Sequence, residues 1–303
     1  MTKRRSIVDV MMLSLQTMLG WIRSYRKPFT VVIGTLFLIG LFWSLRSTSL
    51  QLHQLRYWPA LAIFFVMGPA GIAYGAVGLT LLSRIAGTRI TFGNAWWTAG
   101  YAQLAESLPV PGGAIVRTVA LKKAGTNIGK SVALVTGAAI LWVAMSMVGA
   151  GIALFPSEHV AAIIFLFFGC AIILPIVVWM ITQAGWIIAL QMMLHRLFGL
   201  FLMCIRMLLA FAIIDVIVPF KTALFFSFAN IAGSASAITP AGLGVGEAIA
   251  AALASLVEIA PAAAFLAIAL NRIVGLASCA TIVMLGTVLH SSSNNFQITE
   301  NPK

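Results

Sequence analysis

Long apolar runs with few charged residues dominate this sequence and constrain its fold more than any other feature. A hydrocarbon core about 30 Å thick is crossed by about 20 residues of α-helix. Of the 303 residues, 61% are hydrophobic and 9% are charged, whereas soluble domains carry about 25% charged residues. A soluble protein of this size could not cover its surface with so few charges. The sequence therefore predicts an all-α polytopic membrane protein.

Six runs are predicted to be full spans, and two further apolar stretches are interrupted. The predicted spans are residues 29–45, 59–82, 131–155, 160–181, 197–220 and 261–289. The interrupted stretches are residues 83–130 and 223–257, which contain Pro and Gly at their centres. Residues 183–196 mix polar and apolar side chains and are predicted to be a linker.

Three regions follow along the chain. Residues 1–27 are basic and are predicted to form an amphipathic helix on the cytoplasmic membrane surface; a disordered basic tail is the alternative. Residues 28–290 form a single transmembrane domain, with halves of about 28–156 and 157–290. Residues 291–303 are a polar C-terminal tail.

The formal charge of +12 indicates membrane orientation rather than nucleic-acid binding. The basic residues are scattered and mostly flank apolar runs, as in loops that stay cytoplasmic beside anionic lipid. We expect a multi-pass protein of a bacterial inner membrane, with both termini in the cytoplasm. The three Cys lie in apolar runs and the four His stand apart. Neither a metal site nor a cofactor is therefore expected.

The two interruptions resemble each other at one offset of 129 residues. Ser107, Pro111, Gly113 and Val116 match Ser236, Pro240, Gly242 and Val245. The offset also places the first predicted span on the fourth and the third on the sixth. An internal duplication follows as a hypothesis.

Each interrupted stretch is predicted to be a re-entrant helical hairpin. With the N-terminus inside, the first hairpin opens to the cytoplasm and the second to the outer face. Only the first has strongly basic flanks, formed by Arg84, Arg89, Lys122, Lys123 and Lys130. The halves are then inverted repeats, as in many transporters. The alternative is a cytoplasmic loop over residues 83–130 and one kinked span over residues 223–257.

Charged residues within the apolar stretches are the functional candidates. They are Glu106, Arg117, Arg206, Asp215, Glu247 and Arg272. Each costs about 2.5–3.5 kcal/mol at mid-depth if it has no partner, so they must pair or line a wet cavity. Arg206 and Asp215 face opposite sides of one helix, because nine residues turn it by about 180°.

The number of residues between each charge and the end of its span or hairpin tip gives its depth in the membrane. These depths are similar for Arg117, Arg206, Arg272 and Glu247 and predict that the four cluster, with Glu247 paired to Arg272. The surplus of Arg favours a phosphate ligand, which guanidinium binds bidentately. Glu106 and Asp215 are secondary candidates.

The hairpin tips carry a second group of candidates. They are Pro111, Gly112, Gly113, Pro240, Gly242 and Gly244. The glycines permit a positive φ and close backbone approach, and the helices that begin there offer amides to an anion. Close helix packing is the alternative role for these glycines.

Two motifs are similar to those of the lysylphosphatidylglycerol synthase transmembrane family, also called flippase-like. They are Leu108-Pro-Val-Pro-Gly-Gly-Ala-Ile-Val-Arg117 with Leu121-Lys-Lys-Ala-Gly125, and Thr239-Pro-Ala-Gly-Leu-Gly-Val-Gly-Glu-Ala248 with Ala269-Leu-Asn-Arg272. The resemblance covers about residues 30–290, without the soluble aminoacyl-transfer domain of the synthases. It implies a stand-alone member that moves or presents polar lipids.

The leading hypothesis is therefore a flippase-like protein that translocates or presents an anionic phospho- or glycolipid across the inner membrane. The alternative is an accessory subunit that delivers a lipid to a separate glycosyl- or acyltransferase. An intramembrane transferase is a third reading. However, the sequence contains no readable catalytic set, which makes the transferase the weakest of the three. The expected partners are membrane lipids and, in the accessory-subunit alternative, a lipid-modifying enzyme.

Overall fold

The computed structural model describes residues 34–48, 55–107, 111–236 and 243–298, with side chains up to residue 288. Within these ranges the chain forms helices and no strand. The basic segment 1–27 lies outside the described residues. The first predicted span, residues 29–45, is described only from residue 34, where a helix covers 34–47.

Ten helices, numbered in chain order, make up the described part. In the first half they are α1 (34–47), α2 (Tyr57–Ile85), α3 (Phe92–Ala105), α4 (Gly112–Lys123) and α5 (Ile128–Leu154). In the second half they are α6 (His159–Ala184), α7 (Trp186–Ile213), α8 (Phe220–Ala235), α9 (Val245–Leu253) and α10 (Pro261–Ile298). A π-helical turn, Ile63–Met67, interrupts α2, and a 3-10 turn, Ala254–Val257, extends α9.

Five helices are long and apolar enough to cross a membrane. They are α2, α5, α6, α7 and the Pro261–Val288 part of α10. Large apolar side chains such as Val160, Phe167 and Leu174 are exposed along α6, which suits a helix that faces lipid. The protein is thus an all-helical, multi-pass membrane protein.

The helices of the two halves follow the same order at the predicted offset of 129 residues. Moving α2 by this offset gives 186–214, and α7 is Trp186–Ile213. Moving α3 gives 221–234, and α8 is Phe220–Ala235. The same offset makes α4 correspond to α9 and α5 correspond to α10. Each half therefore consists of two helices, a pair of short helices and a final long helix.

Two predicted boundaries were wrong, and both concern α7. The predicted linker 183–196 is largely helical, because α7 begins at Trp186; the predicted fifth span 197–220 therefore starts too late and ends too late. The polar residues His195 and Arg196 made this segment look like a linker, but both line the interior of the protein. Asp215 consequently falls beyond the end of α7, in a turn where its φ is 58°.

Each of the interrupted stretches contains a pair of helices. Residues 83–130 contain α3 and α4, and residues 223–257 contain most of α8 and all of α9; the two helices of each pair pack against each other. At the C-terminus, α10 continues to Ile298, so the first eight residues of the predicted polar tail are helical.

Glycines let the two helices of each pair approach closely. A Cβ on Gly112 would lie 2.1 Å from the carbonyl oxygen of Ala105, and one on Gly233 would lie 2.3 Å from the Cα of Gly246. Gly244 has a φ of +83° and begins α9. The tip glycines thus divide between close packing, at Gly112, and a left-handed backbone, at Gly244.

Two apolar clusters form the core, and the long helices join them. One contains Phe211 and Phe226; the other contains Leu79 and Leu141. Helices α2, α5, α7 and α10 each contribute buried residues to both clusters. Helix α6 also contributes to both, through Ala162 and Met180.

We expect Gly112→Ala to destabilise the fold by about 1–3 kcal/mol, since its Cβ would overlap backbone atoms and force overpacking. Gly93→Ala, in the same hairpin, is the matched control, because no atom lies within 4 Å of its Cβ position. Thermal unfolding of the purified protein in detergent measures both. Equal midpoints for the two variants would contradict the close packing of α3 and α4.

Candidate functional site

A cavity of about 520 Å³ lies among helices α2, α3, α4, α5, α7, α8 and α10. Most of its lining is apolar or small, as expected where helices cross closely. Its charged lining residues are Glu106, Arg117, Arg196, Arg206 and Arg272. Three of the four arginines are those that depth counting predicts to cluster.

Glu247 and Arg272 form a buried ion pair at the cavity, which Arg272 lines and Glu247 does not. Nη1 of Arg272 donates to Oε2 of Glu247 at 3.2 Å, and the side chains are 6% and 0% exposed. The same Oε2 accepts the backbone N–H of Gly244 at 2.8 Å. Glu247 thereby caps the start of α9 and holds Arg272 of α10, so the predicted pairing is present.

The glycines of the second hairpin make room for this arginine. A Cβ on Gly246 would lie 2.8 Å from Nη2 of Arg272, and one on Gly233 would lie 3.5 Å from it. Within the described residues, Nη2 of Arg272 and Oε1 of Glu247 are buried and lack hydrogen-bond partners. The pair is therefore tightly enclosed and only partly satisfied.

A second ion pair joins the two helices of the first hairpin. Nη2 of Arg117 on α4 donates to Oε1 of Glu106 at 2.8 Å, and about a third of each side chain is exposed. Gly113 lies against Glu106, since a Cβ there would be 2.6 Å from Oε1. Both residues were candidates, but their pairing depends on the turn between α3 and α4 and was not predicted.

Arg206 extends from α7 to α10, where Asn271 orients it. Its Nε donates to Oδ1 of Asn271 at 3.0 Å and its Nη2 to the carbonyl oxygen of Asn271 at 3.3 Å. Asn271 in turn donates to Oδ1 of Asn230 on α8 at 3.4 Å. Gly71 and Gly275 flank the guanidinium. Sequence reasoning missed both asparagines, which act only through contacts between helices.

An aromatic group surrounds Arg196 at another part of the cavity. Nη1 of Arg196 donates to the hydroxyl of Tyr74 at 3.1 Å, and its guanidinium lies 5.5 Å from the ring centre of Trp142. His195 stacks on Tyr74 with centroids 4.1 Å apart. Because residues 183–196 were predicted to be a linker, His195 and Arg196 were not among the predicted site residues. The spacing of His195 and Arg206 could have revealed it, because eleven residues make about three helical turns and place both on one face.

The remaining candidates lie elsewhere. Asp215 pairs with Arg56 at 2.6 Å, and both side chains are about half exposed. Neither residue lines the cavity. The prediction that Asp215 and Arg206 do not pair is confirmed. Pro111 lines the cavity. Pro240 and Gly242 lie outside the described residues.

The charges of the site do not balance. Four arginines line the cavity, whereas the carboxylates of the site, Glu106 and Glu247, are each paired with one of them. In the part of the chain that the structure describes, Arg196 and Arg206 have no carboxylate partner. No three His, Cys, Asp or Glu side chains of that part are grouped to hold a metal ion. The chemistry that this lining offers is anion binding by guanidinium groups.

The fold and cavity thus define a multi-pass helical membrane protein with a positively charged cavity between its helices. Comparison with protein-family models, with curated proteins and with solved structures finds no match for the chain. The resemblance to the flippase-like family stays a prediction.

The two ion pairs should differ strongly in their effect on stability. Glu247→Gln leaves the buried charge of Arg272 without its counter-charge, which costs about 3–5 kcal/mol. Glu106→Gln breaks a part-exposed pair and should cost at most about 1 kcal/mol. Unfolding midpoints in detergent measure both effects.

The double variant Glu247→Gln with Arg272→Gln is the control for this comparison. It should be more stable than Glu247→Gln alone, since no unpaired buried charge remains. Similar losses from the two single glutamate substitutions would show that burial does not separate the pairs.

Proposed function

We propose that this protein translocates or presents an anionic phospho- or glycolipid across the bacterial inner membrane. The head group occupies the cavity while the acyl chains stay in the surrounding lipid. The observation that carries the proposal is the pair of cavity arginines, Arg196 and Arg206, that have no described carboxylate partner. A bound anionic head group would supply the negative charge that these arginines lack.

Several features support a lipid as the ligand. The cavity lies among helices long enough to cross a bilayer, where a ligand with acyl chains meets hydrocarbon on the outer surface of the protein. A volume of about 520 Å³ falls within the range of about 300–1,000 Å³ of small-molecule sites. The resemblance to the flippase-like family favours the same ligand class.

The residues of the site have different roles in this proposal. Arg206, held by Asn271, binds the phosphate. Arg117 is part-exposed, so it can leave Glu106 and bind the ligand instead. Arg272 stays enclosed with Glu247 and adds to the positive potential at the cavity. Because guanidinium groups dominate the charged lining of the cavity, we propose transport or presentation of an anionic lipid.

Alternating access would come from rocking of the two halves against each other. The order of helices is the same in α1–α5 and α6–α10, and basic residues flank the first hairpin much more than the second. Both features favour inverted repeats, with hairpin α3–α4 opening to the cytoplasm and hairpin α8–α9 to the outer face.

Labelling of single introduced cysteines tests this orientation. In a background in which Cys170, Cys204 and Cys279 are replaced by Ala, an impermeant maleimide should modify Lys122→Cys only from the cytoplasmic face and Lys221→Cys only from the outer face. The reason is that each hairpin returns to the side from which it entered. Modification of both positions from the same face would rule out the inverted arrangement.

Movement of fluorescent lipids in proteoliposomes tests the function. Wild-type protein should move phosphatidylglycerol between leaflets faster than phosphatidylcholine, which has no net charge. Arg206→Gln should slow this movement about tenfold or more, because a charge-assisted hydrogen bond contributes about 1.5–3 kcal/mol.

Lys221→Gln, which removes one positive charge from an exposed position outside the cavity, is the matched control and should behave like wild type. Equal rates for Arg206→Gln and wild type would refute the assigned role of Arg206. If wild-type protein binds the lipid but moves none, the presenting role, with a separate lipid-modifying enzyme, replaces translocation.

A further inference from the structure

The cavity has a second cationic position, at Arg196, that is separate from Arg206. Two contacts orient its guanidinium: Nη1 donates to the hydroxyl of Tyr74, and the Trp142 ring lies 5.5 Å away. Its Nε is buried and has no hydrogen-bond partner among the described residues. Arg196 therefore lines the cavity in a defined orientation, and its guanidinium can donate further hydrogen bonds.

The two positions are separated by several residues of α7. The hydroxyl of Tyr74, which Arg196 contacts, lies 2.3 Å from where a Cβ on Gly199 would be. Arg206 follows Gly199 by seven residues, or roughly 10 Å of helix at 1.5 Å per residue. The two guanidinium groups therefore line one cavity from different levels of α7.

Both groups are preorganised and both lack a counter-charge. Asn271 uses Nε and Nη2 of Arg206, and within the described residues Nη1, beside Gly71, has no partner. Arg196 and Arg206 have no carboxylate in salt-bridge distance in the same part of the chain. A ligand with one negative charge would leave one of the two guanidiniums uncompensated.

The nature of the second group follows from the donors that surround it. Guanidinium groups only donate hydrogen bonds, so the partner must accept them. A cationic group is disfavoured, because Arg196 already occupies the face of Trp142 and a second positive charge there would repel it. An anionic group accepts hydrogen bonds and also balances the charge.

We propose that the cavity selects lipids whose head group carries two separate anionic groups, one bound by Arg206 and the other by Arg196 against Trp142 and Tyr74. This inference rests on the proposed function and narrows its substrate class. The two anionic groups are separate because different helices hold the two guanidiniums: Asn271 of α10 orients Arg206, and Trp142 of α5 lies beside Arg196. Such a lipid neutralises both cations, whereas one with a single phosphodiester neutralises one.

Ligand-dependent thermal stabilisation of the purified full chain in detergent tests the proposal. The probes are short-chain cardiolipin, which has two phosphodiesters joined by glycerol, short-chain phosphatidylglycerol, which has one, and short-chain phosphatidic acid, whose charges share one phosphorus. Wild-type protein should bind cardiolipin about tenfold or more tightly than either other lipid, as expected for one additional charge-assisted contact. In Arg196→Gln, the affinity for cardiolipin should fall to that for phosphatidylglycerol.

Arg206→Gln should weaken binding of both lipids, and Lys221→Gln, outside the cavity, should bind all three probes as wild type does. Equal wild-type affinities for cardiolipin and phosphatidylglycerol, or a preference for cardiolipin that persists in Arg196→Gln, would overturn the two-anion site. Tighter binding of phosphatidic acid than of cardiolipin would also overturn it, since it would place both charges at one position.

A water-soluble glycerol bisphosphate without acyl chains separates this inference from the proposed function. Weak binding of this compound beside tight binding of cardiolipin supports a lipid ligand with two anionic groups. If it binds as tightly as cardiolipin and loses affinity in Arg196→Gln, the two-anion site stands but the ligand is a soluble anion, and the lipid function fails. If no anionic probe stabilises the protein, both proposals fail.

Discussion

Arginine side chains held away from bulk water among membrane-spanning helices are the constraint on which the rest of this structure depends. Each such charge costs about 2.5–3.5 kcal/mol at mid-depth unless it is compensated, and a typical protein is stable by only about 5–15 kcal/mol. The fold compensates Arg272 with Glu247 and orients Arg206 through Asn271. These contacts need close helix approach, which the glycines beside both guanidiniums allow.

The two halves share one order of helices but stabilise their hairpins differently. In the first hairpin, Glu106 and Arg117 pair across its two helices with about a third of each side chain exposed. In the second, Glu247 pairs with Arg272 of the following helix and is fully buried. An exposed pair exchanges partners at small cost, whereas a buried pair does not. One side of the cavity is thus adaptable and the other fixed, a difference that the proposed rocking of the two halves would use.

Much of the architecture could be predicted because hydrophobic length and helical periodicity are local properties. The long helices and the two pairs of short helices are present, with an offset of 129 residues between the halves. Depth counting also brought Glu247 and Arg272 together. The prediction failed at α7, where His195 and Arg196 made residues 183–196 resemble a linker. Composition alone cannot distinguish polar side chains that line a cavity from those that face water.

The sequence by itself determined the solvent of this protein: with 61% hydrophobic and 9% charged residues, a chain of this length can be covered only by lipid. It also determined which charges must find partners. Only the tertiary structure decided which partners they find. Asn271 meets Arg206, and Trp142 meets Arg196, because helices distant in sequence cross at particular heights and angles. Packing of whole helices sets those crossings, and no local pattern of residues encodes them.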